Sequence, residues 1–322
     1  TDSVPLDRFE TLPGYDQHIG NVETGELLDH LRFGYGFGLY LANGLTTVSL
    51  PDGSSGDPNP NVPNESTLVG GSLGLLMGAN IGLYDWAEVG LVLPMSVYFD
   101  VDGRPVGRLD DELSGLRSGA MTGHLRVRLL PPEVLPGTEL AASVIVRFPN
   151  ASPTSLRAWG EFDATLPREE NDIVSQETVW VYEPRIAASH EFGMFQVAAH
   201  LGYQRHQDLT LFDMTVSDEL NWGLGAAVSL EALGMTIHST AIGHHALGDG
   251  TAEFERSPVE LGAGLTQALD SGMRVSLGAS IGASGSVGVP SYRFSAGLAY
   301  DFSLAVLFPD FTDSDGDGLR DS

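Results

Sequence analysis

From His30 to Ala42 the chain reads HLRFGYGFGLYLA. Leu31, Phe33, Tyr35, Phe37, Leu39 and Leu41 share one parity, while His30, Arg32, Gly34, Gly36, Gly38 and Tyr40 share the other. A period of two puts alternate side chains on opposite faces of an extended strand, whereas a helix needs apolar residues every three or four positions. The pattern returns at 86–99, where Ala87, Val89, Leu91, Leu93 and Met95 oppose Glu88, Gly90, Val92 and Ser96. It holds again at 121–129, 194–206, 219–231 and 292–302. Several runs keep the alternation for 12 or more residues, well past the roughly 5 or 6 usual in soluble sandwiches.

About twelve such segments are legible, near 30–42, 67–81, 86–99, 119–130, 138–148, 177–191, 194–208, 217–230, 234–246, 256–269, 272–284 and 291–303. Short connections alternate with long ones, the latter at 43–66, 100–118, 149–176, 209–216, 247–255 and 285–290. Short turns on one rim and long loops on the other describe an all-β transmembrane antiparallel up-and-down barrel. An even strand number puts both termini on the turn side, which is periplasmic in outer-membrane barrels. The expected organisation is a periplasmic segment at 1–29, a barrel at 30–303 and a short Asp-rich tail at 304–322. The first residues lack the basic start and apolar core of a signal peptide, as in the numbering of a mature chain.

Composition agrees with that architecture. No apolar run reaches the roughly 18 to 20 residues of a spanning helix, and mean hydropathy is +0.00, as alternating strands require. With 43 acidic residues against 16 basic ones the formal charge is -27, which repels phosphate backbones and excludes a nucleic-acid partner. All the basic residues are Arg, and the absence of Cys removes disulfides and thiolate chemistry.

If the apolar parity faces lipid, the other parity fills the lumen with Arg32, Arg126, Arg128, Arg147, Arg185, Arg274 and Arg293 beside Glu88, Glu183, Glu260 and Asp301. His200, His206, His238 and His244 share that face. Such charges must pair or stay wet, so they form either a salt-bridge plug or the lining of a water-filled path. Enzymatic activity is not expected. Ser189 and His190, like His238 and Ser239, are chain neighbours on a strand and point to opposite faces.

Two terminal signals carry a resemblance. The last strand ends with Gly297, Tyr300 and Phe302, which resembles the targeting signal of outer-membrane barrels. Beyond it, Asp313, Asp315, Asp317, Leu319 and Asp321 keep the D-x-D-x-D-G spacing at which alternate carboxylates and one backbone carbonyl converge on a Ca2+ ion. This tail resembles a thrombospondin type 3 calcium repeat. Together with Leu6-Asp7-Arg8-Phe9-Glu10 and Val181-Tyr182-Glu183-Pro184-Arg185, the chain resembles large outer-membrane proteins of the OmpA family.

That resemblance implies structural anchoring of the outer membrane through a calcium-stiffened periplasmic linker to a peptidoglycan-binding domain, or service in adhesion and outer-membrane exchange. The position-12 carboxylate of the calcium loop lies beyond Ser322, so the site within these residues is open and weak. A passive porin-like channel for small solutes is the alternative function. Membrane lipid and lipopolysaccharide are the expected surroundings, with divalent cations bridging lipopolysaccharide to the acidic long loops.

Overall fold

The computed structural model describes residues 18–49, 65–101, 108–109, 117–118, 121–131, 133–148, 155–159, 172–174, 180–205, 209–211, 214–216, 218–247, 257–284 and 289–304. Twelve long strands form the wall. They are β1 (Arg32–Ser49), β2 (Glu65–Leu83), β3 (Ala87–Val101), β4 (Thr122–Arg128), β5 (Thr138–Arg147) and β6 (Val181–Phe192). They continue with β7 (Phe195–Gln204), β8 (Glu219–Leu230), β9 (Met235–Ala246), β10 (Val259–Ala268), β11 (Met273–Gly282) and β12 (Tyr292–Ser303).

Each strand pairs antiparallel with its chain neighbours, and β12 returns to β1 through twelve residue pairs from Tyr292–Asn43 to Ser303–Arg32. Closure leaves no wall strand with a free edge, the condition for surviving in a medium that offers no hydrogen bonds. Arg32 and Ser303 face each other on the rim that carries the short turns. At one of those turns Tyr84 and Asp85 both take positive φ, 53° and 57°, the conformation of the two central residues of a type I′ turn, closed by the Trp86 N–H on the Leu83 carbonyl. His30 holds it, donating its N–H to Asp85 Oδ1 and accepting the Tyr84 N–H on Nδ1 at 2.9 Å.

The strands match the segments expected from alternation, with one class of difference. β1 runs on to Ser49 and β2 starts at Glu65, extending past 42 and before 67 through a bulged register at Asn43–Thr47. Backbone pairing needs no apolar face, so a hairpin can outrun its apolar pattern where the strands leave the belt. The long loops at 100–118, 149–176 and 209–216 also hold short pairings. Ser155–Trp159 pairs with Asp172–Val174 and with Arg108–Leu109, and Leu209–Leu211 pairs with Met214–Val216.

Side chains divide by parity. On β1 Tyr35, Phe37, Leu39 and Leu41 are exposed on the outer face, while Gly34, Gly36, Gly38, Tyr40 and Ala42 are buried within. Outward Leu, Val, Ile and Phe recur around the wall, with Trp86 and Phe192 at the short-turn rim and Trp180 near the other. A continuous apolar belt of this size requires a cover, and lipid supplies one.

The described part of the N-terminal segment, 18–29, runs through the barrel interior. A hairpin pairs His18–Ile19 with Val22–Glu23. Val22, Glu23, Thr24 and Leu27 are buried. Gly82 has no room for a Cβ, which would meet the backbone carbonyls of Leu28 and Asp29. Gly25 likewise lies flat on the Glu139 carbonyl. Only glycines allow the hairpin and the wall to approach this closely.

Candidate functional site

The strand period sends every second side chain inward, and on β3 to β8 those positions carry large polar groups. Glu88, Arg126, Glu183 and Glu23 are each at most 3% exposed. Ionised groups this deep are tolerable only when paired and fully hydrogen-bonded, and the hairpin completes their pairing.

Glu23 is the hub. Its carboxylate lies 2.8 Å from Arg126 Nε and 2.9 Å from Arg185 Nη1. Burial opposes the charge on Glu23, but the two guanidinium groups outweigh it and hold its carboxyl well below the usual carboxylate range. The backbone docks as well. Arg126 Nη2 donates to the Thr24 carbonyl at 2.7 Å, the Glu23 N–H donates to His200 Nδ1 at 3.2 Å, and the Gly25 N–H donates to Ser189 Oγ at 3.2 Å. Glu88 receives the Leu28 N–H and Asn80 Nδ2, both at 3.1 Å, and faces Arg126 at 3.5 Å. Glu183 joins Arg185 to Arg147, the latter at 3.6 Å.

The remaining inward charges pair in smaller groups. Arg293 reaches Glu260 at 3.2 Å and lies over the Tyr40 ring, 5.2 Å from its centroid. Asp301 bridges Arg32 and Arg274, the latter at 3.3 Å. Arg128 meets Glu139 at 3.4 Å, and His244 meets Glu219 at 3.4 Å. The structure thus brings all eleven inward charges named from the sequence into ion pairs, in four groups rather than one.

Glu23, Glu139 and Glu219 were not among the candidates read from the sequence, yet a signal existed. Seven inward arginines stood against four carboxylates, a deficit of three negative charges that a buried lumen does not tolerate.

Beside the hairpin's tip the wall changes character. From β9 to β12 small and polar inward residues, among them Thr240, Thr266, Ser276, Ser295, Gly278 and Gly297, alternate with the inward charges Glu260, Arg274, Arg293 and Asp301. Between them and His18, Gly20 and Asn21 of the hairpin lies a cavity of about 350 Å3, with Arg274 and Arg293 in its lining. The plug is therefore eccentric. It fills the side of the lumen where Glu88, Arg126, Glu183 and Arg185 stand and leaves space along the side where small residues separate the charges.

Other sequence candidates are placed as follows. Ser189 is buried and His190 exposed, and Ser239 is exposed while His238 lines the cavity, so neither pair shares a face. Gly297 lines the cavity, whereas Tyr300 and Phe302 join an outer aromatic cluster with Tyr35 and Phe33 near the short-turn rim. His206 and the Asp313–Asp321 motif lie outside the described residues. Among the described residues no group of three His, Asp or Glu is placed to hold a metal ion.

No known protein-family profile matches the chain, and no curated protein matches it in sequence. The resemblance to the OmpA family and to a calcium repeat gains no support there. Solved structures do match. An outer membrane channel from Pseudomonas putida F1 superposes with a TM-score of 0.57 at 12% identity, covering 86% of this chain and 97% of that one. The NanC porin has a TM-score of 0.49 at 5% identity, covering 83% of this chain and 98% of its own. The fold is that of the outer-membrane β-barrels.

Proposed function

We propose that the chain is a passive outer-membrane channel for small solutes, narrowed by its own N-terminal hairpin. The carrying observation is the asymmetry of the lumen. A salt-bridged hairpin occupies one side, and a cavity of about 350 Å3 with a polar, small-residue lining occupies the other. A barrel meant only as a rigid post has no need to keep Gly, Ser and Thr along four adjacent strands, since larger side chains fill a lumen at no cost in strand pairing. The likeness to a solved outer membrane channel supports the same reading, the apolar belt supports a membrane location, and the short turns then lie on the periplasmic side by the general pattern of such barrels. The tethering role implied by the calcium-repeat resemblance rests on the 304–322 tail, and the barrel geometry favours passage over it.

Single-channel recording in planar bilayers tests the proposal. Reproducible small conductance steps are expected, rising severalfold when residues 18–27 are deleted. A silent bilayer with barrel that shows native, heat-modifiable gel mobility would overturn it.

A further inference from the structure

We infer that the cavity beside the hairpin selects small uncharged solutes rich in hydroxyl groups, the class to which hexoses and hexitols belong. The inference rests on the channel reading and adds the substrate class. Three observations carry it. The first is size, because about 350 Å3 lies at the lower end of the roughly 300 to 1,000 Å3 typical of small-molecule sites.

The second is lining chemistry. Thr240, Thr266, Ser276 and Ser295 present hydroxyls around the cavity, and each can both donate and accept. A polyol exchanges its water hydrogen bonds for these nearly one for one. A hydrocarbon would leave the same groups unpaired, which is costly in a confined space.

The third is charge. The two arginines that reach the cavity are already neutralised, Arg293 by Glu260 and Arg274 by Asp301. Arg293 is 1% exposed and is held further by the Tyr40 ring, so it is not free to turn toward an anion. An anion also approaches a chain of formal charge -27. Glu26 and Glu191 also line the cavity, so the lining carries both signs of charge and an ion of either sign meets like charge there, including guanidinium groups that cannot deprotonate to accommodate a cation. An uncharged solute incurs neither penalty.

The test uses the full chain in proteoliposomes, with swelling rates measured for sorbitol, gluconate and glucosamine. Sorbitol is expected to enter at least about fivefold faster than either ion, the factor of one net hydrogen bond of about 1 kcal/mol. Thr240→Val with Thr266→Val removes two hydroxyls at nearly constant volume. It should cut sorbitol entry by about fivefold or more and narrow the preference for sorbitol over gluconate and glucosamine. Ser295→Ala provides the same readout should the double variant fail to show heat-modifiable mobility. Equal entry of all three solutes, or unchanged sorbitol entry in the variants, overturns the inference and leaves the channel reading standing. Absence of both conductance and swelling overturns the channel reading itself and the inference with it.

Discussion

The carboxylate of Glu23 lies 2.8 Å from Nε of Arg126, and this contact fastens the N-terminal hairpin to the barrel wall. Glu23 also serves Arg185 at 2.9 Å, so one side chain ties together two wall cations. Replacing it with Gln leaves both guanidinium groups short of a partner, and breaking a buried pair in this way costs about 3 to 5 kcal/mol. Glu23→Gln should therefore loosen the hairpin, raise mean conductance and shift the reversal potential toward anion selectivity. Bilayer recording in a salt gradient measures both, and an unchanged reversal potential would count against the hub role.

Acid should act on the same contact. Glu23 has a folded-state carboxyl held below the ordinary range by Arg126 and Arg185 against the effect of burial. A depressed carboxylate contributes stability that is fully present above its ordinary pKa and is lost as pH falls through the depressed value. Hairpin docking should thus be constant near neutrality and weaken only in strongly acidic solution, below about pH 4. Channel noise recorded from about pH 7 to pH 3 should rise at the acid end in the native chain. Glu23→Gln should show the raised noise at every pH.

Gly82 provides a steric test that leaves every charge in place. A Cβ there would meet the carbonyls of Leu28 and Asp29, so Gly82→Val should displace the hairpin's exit at a cost of about 1 to 3 kcal/mol. The expected outcome is a lower temperature for heat-modifiable conversion, together with faster protease cleavage within 18–29. Cleavage at the native rate would show that the close approach does not constrain the hairpin.

On the open side, Gly278→Leu should narrow the cavity, because its Cβ position already meets Ser295 Oγ at 2.7 Å. Conductance is expected to fall severalfold while the hairpin contacts stay intact. Conductance equal to that of the native chain would place the solute path elsewhere.

The tail is tested separately. The spacing of Asp313, Asp315 and Asp317 predicts calcium binding. Calorimetric titration with Ca2+ should give a binding heat that disappears when the three are replaced by Asn, and identical isotherms would leave no site there.

The alternation of Leu31 to Ala42 was enough to identify a wall strand and to say which residues of it face inward. Neighbouring side chains on an extended chain must diverge, and that rule is local. The same rule placed Arg126, Glu183 and Arg293 on the inner face and separated Ser189 from His190. Repetition over twelve segments, with short and long connections alternating, then set the strand number and the common rim of the two barrel ends.

Which charges meet was beyond any local rule. Glu23 and Arg185 are 162 positions apart, and their contact depends on how far the barrel wall stands from a segment that shows no strand-like alternation of its own. The sequence therefore determined a closed barrel with a polar, arginine-rich interior, because strand period and face are properties of neighbours along the chain. Only the tertiary structure decided that 18–29 enters that interior and sits to one side of it. There the excess of buried arginines finds its carboxylates, the Gly25 and Gly82 surfaces admit a backbone, and the small residues of β9 to β12 leave the remaining space open.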